Sequence, residues 1–183
     1  MEFGYTEEQL MFRDSVYKYA KKEIVPLVEE ADLNSEFSME VWRKLGEMGL
    51  LGLPFPEELG GSGASVVTCC LSTEALGHAG VDQGHLLALG AHTYLCADTI
   101  FKPGSPAQLK KYIPKLAGGV WIGCMGLTEP GAGSDAASIT TTAVKKATSG
   151  FSTARRHSLP TRPSPMWRWS LPIMTKRRDR APA

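Results

Sequence analysis

Residues 126–135 read Gly-Leu-Thr-Glu-Pro-Gly-Ala-Gly-Ser-Asp, and the fold turns on how this stretch is understood. Leu127 and Thr128 suit the end of a strand, and Pro130-Gly131 is a turn pair. The glycines that follow make a bend offering the hydroxyls of Thr128 and Ser134. Where side chains are missing, the backbone can approach a planar or phosphorylated ligand closely, with its amide donors unobstructed. The stretch is neither a GxxxxGK[ST] phosphate loop nor a GxGxxG dinucleotide turn. On physical grounds alone a ligand-contacting loop and an ordinary β-turn stand about equal.

Upstream the texture is helical. Thr6 followed by Gln9 predicts a capping box, with Glu7 and Glu8 at the positive end of the helix dipole. Leu10, Val16, Tyr17, Ala20, Ile24 and Leu27 then recur at three- and four-residue steps, and Pro26 predicts a kink or an end nearby. A second helix is expected from Ser38, with Val41, Trp42, Leu45 and Met48 inward and Gly49 closing it. The next stretch, LGLPFPEELGGSGAS, has two prolines and four glycines in 15 residues and is expected to be irregular. Helical patterns resume over 66–79 and 82–101, and again from Ser105-Pro106 to the Gly118-Gly119 pair. After Gly119 the run VWIGCMGLTEPGAGSDAASITTTAVKK predicts short strands joined by loops, one of them ending at Thr128.

Hydrophobic residues are 43% of the 183 and charged residues 21%, ordinary for a globular protein. No apolar run approaches the roughly 20 residues of a membrane span. The start, MEFGYTEEQL, lacks the basic and apolar regions of a signal peptide. Cys69, Cys70, Cys96 and Cys124 form no CxxC pair, so buried, reduced thiols in a cytoplasmic protein are expected, and no metal site. His78, His85 and His92 are spaced by seven and are expected near one helical face, in capping or core-edge hydrogen bonds rather than on a metal. Trp42 and Trp121 read as core residues, and Lys110 and Lys111 as a solvated helix face.

The segment 126–135 closely resembles the signature of the acyl-CoA dehydrogenase family, small–apolar–Ser/Thr–Glu–x–x–small–Gly–Ser/Thr–Asp, at every position. YTEEQ, MGLLGLPFPEELGGSG and KYIPKLAGG look like further family landmarks in the expected order, so the resemblance covers 1–146. It implies a mainly α fold: an all-helical N-terminal acyl-CoA dehydrogenase domain (1–119), then the first strands of a truncated β-barrel-like middle domain (120–147). FAD is implied as cofactor and an acyl-CoA thioester as substrate, undergoing α,β-dehydrogenation. By the same resemblance Met125, Leu127, Thr128, Gly133 and Ser134 are cofactor-binding, and Ser134 also meets the CoA arm. Met125 stands where family members often carry an aromatic, which leaves no ring to stack there. The catalytic carboxylate is expected in a C-terminal helical bundle this chain does not contain; Glu129 and Asp135 are expected to be structural. The intact protein is expected to pass electrons to an electron-transferring flavoprotein as a homodimer or homotetramer. The fragment itself is expected to be inactive.

Residues 148–183 break the pattern. From Phe151 onward there are eight Lys/Arg and one acid, leaving 12 basic and 18 acidic residues in 1–150, and all 19 glycines lie at or before Gly150. As written the tail has too little apolar periodicity to fold and is expected to be disordered. Reading codons displaced by one base from Gly150-Phe151 permits LLNGTKTFITNAPVADVALVV, which contains family-like NGTK and FITN text. Met166-Trp167 then forces Val and Met174-Thr175 forces Asp. The tail therefore reads as a frameshift near Lys146–Gly150. Two other functions are weighed: a fragment of an acyl-CoA oxidase or related flavin monooxygenase, which oxygen consumption would separate, and a non-catalytic helical interaction module with a basic tail. Salt-sensitive nucleic-acid binding by the tail would favour the last; no nucleic-acid partner is expected.

Overall fold

The computed structural model describes residues 4–146 and 149–153. They fall into two compact units, Met1–Gly123 and Cys124–Ala183.

The regular elements described in the first unit are all helical. Helix α1 (Glu7–Tyr19) opens with the expected capping box, Thr6 Oγ1 accepting from Gln9 N–H while the Gln9 side chain accepts from Thr6 N–H. A π-helical turn, Ala20–Ile24, joins it to α2 (Val25–Leu33) without a break in the helix. Pro26 supplies the reason. Its ring cannot accommodate the carbonyl one turn back and it has no N–H to donate, so the chain widens by one residue and continues. Helix α2 ends in a left-handed residue, Ser35 at φ 55°, with Glu36 N–H reaching back to Ala31 O.

Helix α3 (Met39–Glu47) is capped by Ser38 and buries Val41, Trp42 and Leu45. Leu50 N–H returns to Leu45 O past Gly49, which sits at φ 75°. The irregular stretch contains a single 3₁₀ turn, Glu57–Leu59, yet buries Leu51, Leu53, Phe55 and Leu59. Helix α4 (Val66–Ala79) packs on α1 and ends at Gly80, φ 107°. The run over 83–101 is α5 (Gln83–Gly90), a second π-helical segment (Ala91–Ala97) and α6 (Asp98–Phe101). Helix α7 (Pro106–Ala117) again carries a capping box, Ser105 with Gln108.

Two apolar clusters hold the unit. The larger joins Val16, Ala20 and Ile24 to Trp42, Leu45, Leu51, Leu76 and Leu89. The smaller joins Phe55, Leu59 and Ala97 to Ile113 and Leu116, with Trp121 partly buried against it. Trp42 has no solvent exposure, a position where truncation to Ala typically costs about 3–5 kcal/mol.

In the second unit, β1 (Thr142–Lys146) pairs antiparallel with β2 (Ser149–Thr153), Val144 opposite Phe151. The strand expected to end at Thr128 is absent, because no described segment pairs with 120–128 and an extended chain without a ladder partner is not a strand. The three histidines do not share a face: Gly80 separates α4, which carries His78, from α5, which carries His85, and His92 lies in the π segment. Burial of the cysteines holds for Cys69 and Cys96; Cys70 and Cys124 are exposed, and none of the four is in a disulfide. Cys70 follows Cys69 on a helix and so points about 100° away from it, off the buried stripe. Among the described residues no His/Cys/Asp/Glu group could hold a metal ion, and no helix is long and apolar enough to cross a membrane. The basic tail and the proposed frame change lie outside the described residues, apart from the β2 backbone.

Candidate functional site

The loop from Met125 to Asp135 is built on a minimal hairpin. Glu129 N–H donates to Ala132 O (3.0 Å) and Ala132 N–H returns the bond to Glu129 O (3.1 Å), with Pro130-Gly131 at the tip. Proline's fixed φ and missing donor suit the corner, where no hydrogen bond is required of it.

Both carboxylates of the loop are occupied. The Glu129 side chain accepts from Thr140 N–H (2.8 Å) and Thr140 Oγ1 (2.8 Å) on one oxygen. Its other oxygen accepts from Thr141 N–H (3.0 Å) and from the Thr141 hydroxyl. These donors, the Thr141 hydroxyl foremost, hold its pKa down to about 2. A carboxylate in that condition is a permanent anion and a poor base. Asp135 caps the 3₁₀ turn Ala136–Ser138, accepting from Ala137 N–H (3.1 Å) and from the Ser138 hydroxyl. The expectation that Glu129 and Asp135 are structural is met.

The uncharged polar groups differ. Thr128 and Ser134 are exposed, and among the described residues neither hydroxyl has a hydrogen-bond partner. Leu127 is 43% exposed beside Thr128, and Met125 is half-buried. A Cβ built on Gly131 or Gly133 would meet nothing within 4 Å, and neither residue has a positive φ. Among the described residues, neither packing nor backbone conformation demands glycine at these two positions. The five residues expected to bind cofactor thus lie on one continuous loop: two apolar side chains, two hydroxyls unengaged among the described residues, and a stretch of bare backbone. That combination suits a flat ligand with polar edges.

Residues 6–120 match the family model described as acyl-CoA dehydrogenase, N-terminal domain. The chain belongs to the acyl-CoA dehydrogenase family. It is 42% identical over 144 residues to the probable acyl-CoA dehydrogenase YngJ of Bacillus subtilis, covering 79% of this chain and 37% of that protein. Among solved structures it resembles butyryl-CoA dehydrogenase from Megasphaera elsdenii (34% identity, TM-score 0.69, 80% of this chain and 39% of that one). It also resembles an acyl-CoA dehydrogenase complexed with FAD from Bacillus anthracis (36% identity, TM-score 0.66, 76% and 24%). The chain therefore spans well under half the length of these acyl-CoA dehydrogenases.

Two contributions to the site were not foreseen in the sequence. Thr140 and Thr141, read as strand-forming residues, are the donors that fix Glu129. His92, read as a core-edge residue, is fully buried and accepts Gly123 N–H at 2.8 Å, at the end of the helical unit where the acyl-CoA dehydrogenase loop begins. The signal available for His92 was its position between Ala91 and Thr93 in an otherwise apolar helix, where a polar ring must find partners.

Proposed function

We propose that the loop from Met125 to Ser134 forms one wall of a site for FAD and an acyl-CoA thioester, in a protein whose intact form carries out α,β-dehydrogenation. The observation that carries this reading is the pair Gly131 and Gly133, bare of side chains where nothing among the described residues requires it. Thr128 and Ser134 supply hydroxyls for the cofactor's polar edges, Leu127 and Met125 an apolar contact, and Gly133 the close backbone approach. Ser134 is also assigned to the CoA arm. A flavin held here would supply the hydride acceptor for the substrate's β carbon.

The loop's own residues bind and orient; they do not move the α proton. Glu129 is held by four donors and Asp135 by two, so the base must come from another segment. On this reading the chain alone is inactive. The domain division 1–119, 120–147 and 148–183, the frame change at the tail, a cytoplasmic location, transfer of electrons to an electron-transferring flavoprotein and homo-oligomeric assembly belong to the same proposal for the intact protein.

The test is titration of FAD into isotope-labelled chain, followed by amide NMR. Shifts concentrated at Met125–Ser134, without turnover of acyl-CoA in the presence of an artificial electron acceptor, are expected. Shifts confined to the helices, or no shifts at millimolar FAD, would overturn the assignment of the loop.

A further inference from the structure

We propose that His92 is a positioning residue for the ligand loop: its imidazole, protonated on Nε2 only, fixes the backbone of Gly123, the residue from which the loop departs. The functional consequence rests on the flavin reading above, but the anchor itself does not.

The tautomer follows from the partners. Leu116 O can only accept, and it lies 3.0 Å from His92 Nε2, so that nitrogen carries the proton. Gly123 N–H can only donate, and it lies 2.8 Å from Nδ1, so that nitrogen presents its lone pair. A neutral imidazole satisfies both bonds; an imidazolium would set a proton against the Gly123 amide. Burial pushes the His92 pKa down to about 4, opposed by the bond to Leu116 O, in keeping with a neutral ring at ordinary pH.

The ring is itself held. Trp42 meets it edge to face, with centroids 5.0 Å apart and planes at 86°. His92 and Cys96 both lie in the π segment, and insertions of this kind are frequent at functional positions. Gly123 fits because it has no side chain: a Cβ there would lie 2.6 Å from Cys96 Sγ and 3.4 Å from His92 Nδ1. The preceding residues are fastened in sequence. Gly119 O accepts from Trp42 Nε1–H (3.2 Å), and Trp121 N–H donates to Lys115 O (3.0 Å). His92 makes the last fastening before the loop.

The two ring nitrogens can be tested apart in the full 183-residue chain. In His92→Asn the side-chain oxygen falls near Nδ1 and keeps the acceptor for Gly123; in His92→Gln the amide nitrogen falls near Nε2 and keeps only the donor to Leu116. Wild-type ¹⁵N imidazole spectra are expected to show one protonated and one bare nitrogen, with no titration between about pH 5.5 and 8. The Gly123 amide is expected to exchange slowly in wild type and His92→Asn and about tenfold faster in His92→Gln, with similar losses of thermal stability in both variants. FAD-induced shifts in Met125–Ser134 should shrink in His92→Gln alone. Rapid Gly123 exchange in wild type, titration of the ring near its ordinary value, or equal loss of protection in both variants would overturn the proposal, and the first two are decided even if neither variant folds. If FAD shifts nothing in any protein while the exchange results hold, the flavin reading fails and the anchor stands.

Discussion

A Cβ placed on Gly61 would lie 2.0 Å from Phe55 O and 2.4 Å from Gly52 O, whereas one placed on Gly133 would meet nothing within 4 Å. Both glycines occupy loops, but they answer to different constraints. Gly61 lets the segment after α3 fold back on itself tightly enough to bury Phe55 and Leu59, so its reason lies inside the protein. Gly133 has no such reason among the described residues. The polar groups divide in the same way. In the helical unit Trp42, His92 and Thr93 are fully buried, and each gives its polar atoms to a backbone partner: Gly119, Leu116 with Gly123, and Leu51. In the loop the Thr128 and Ser134 hydroxyls are exposed and unengaged. A residue type that the fold does not explain is where a ligand should be sought.

The largest effect is expected from Gly61→Ala, which drives a methyl group into main-chain oxygens that cannot step aside. Urea unfolding should show a loss of about 3 kcal/mol or more, and an unchanged midpoint would mean that the helical unit tolerates what its packing forbids. Acid should come next. The His92 ring stays neutral in the folded chain down to about pH 4, while in the unfolded chain it titrates near 6.5. Above that value neither state binds a proton; below it only the unfolded state does, so stability falls as pH drops toward about 4, by a total of about 3 kcal/mol. Denaturation at a series of pH values would show this slope, flattened in His92→Phe.

The loop should respond to acid differently. Glu129 has its pKa lowered from 4.5 to about 2, so its bonds stabilise the folded loop fully above the ordinary carboxylate range, and that contribution declines as pH falls from there toward about 2. Glu129→Gln puts an amide donor against donors; exchange at the Thr140 and Thr141 amides should quicken while α1 and α4 keep their protection. Loss of protection throughout the helices would contradict the separation of the two regions. The smallest effect is at Ser35, held at φ 55°. Ser35→Gly removes the left-handed strain at some entropic cost and should raise the unfolding free energy by about 0.5 kcal/mol.

The legible parts of the sequence were those governed by local rules. The caps at Thr6, Ser38 and Ser105 and the stop at Gly49 depend on residues within one turn, and the helices begin and end near where these marks stand. The two π segments were not legible. Pro26 marked only a disturbance at the first, and the second depends on which long-range partners Thr93 and His92 reach, Leu51 and Leu116 among them. The expected strand before Glu129 failed for a related reason: alternating apolar residues show a capacity to pair but not the presence of a partner. In the site, the loop itself could be read from its signature, and the structural roles of Glu129 and Asp135 followed from their positions beside a turn and a helix end. The threonines that hold Glu129 lie 11 and 12 residues away, beyond any local pattern.

The most direct measurement is Gly133→Ala in the same chain, read by urea unfolding and by FAD titration together. If the loop glycines serve a ligand, the unfolding midpoint stays within about 0.5 kcal/mol of wild type while the FAD-induced shifts at Thr128 and Ser134 weaken or vanish. A stability loss approaching that of Gly61→Ala, or FAD shifts identical to wild type, would contradict the claim that Gly133 is explained from outside the fold.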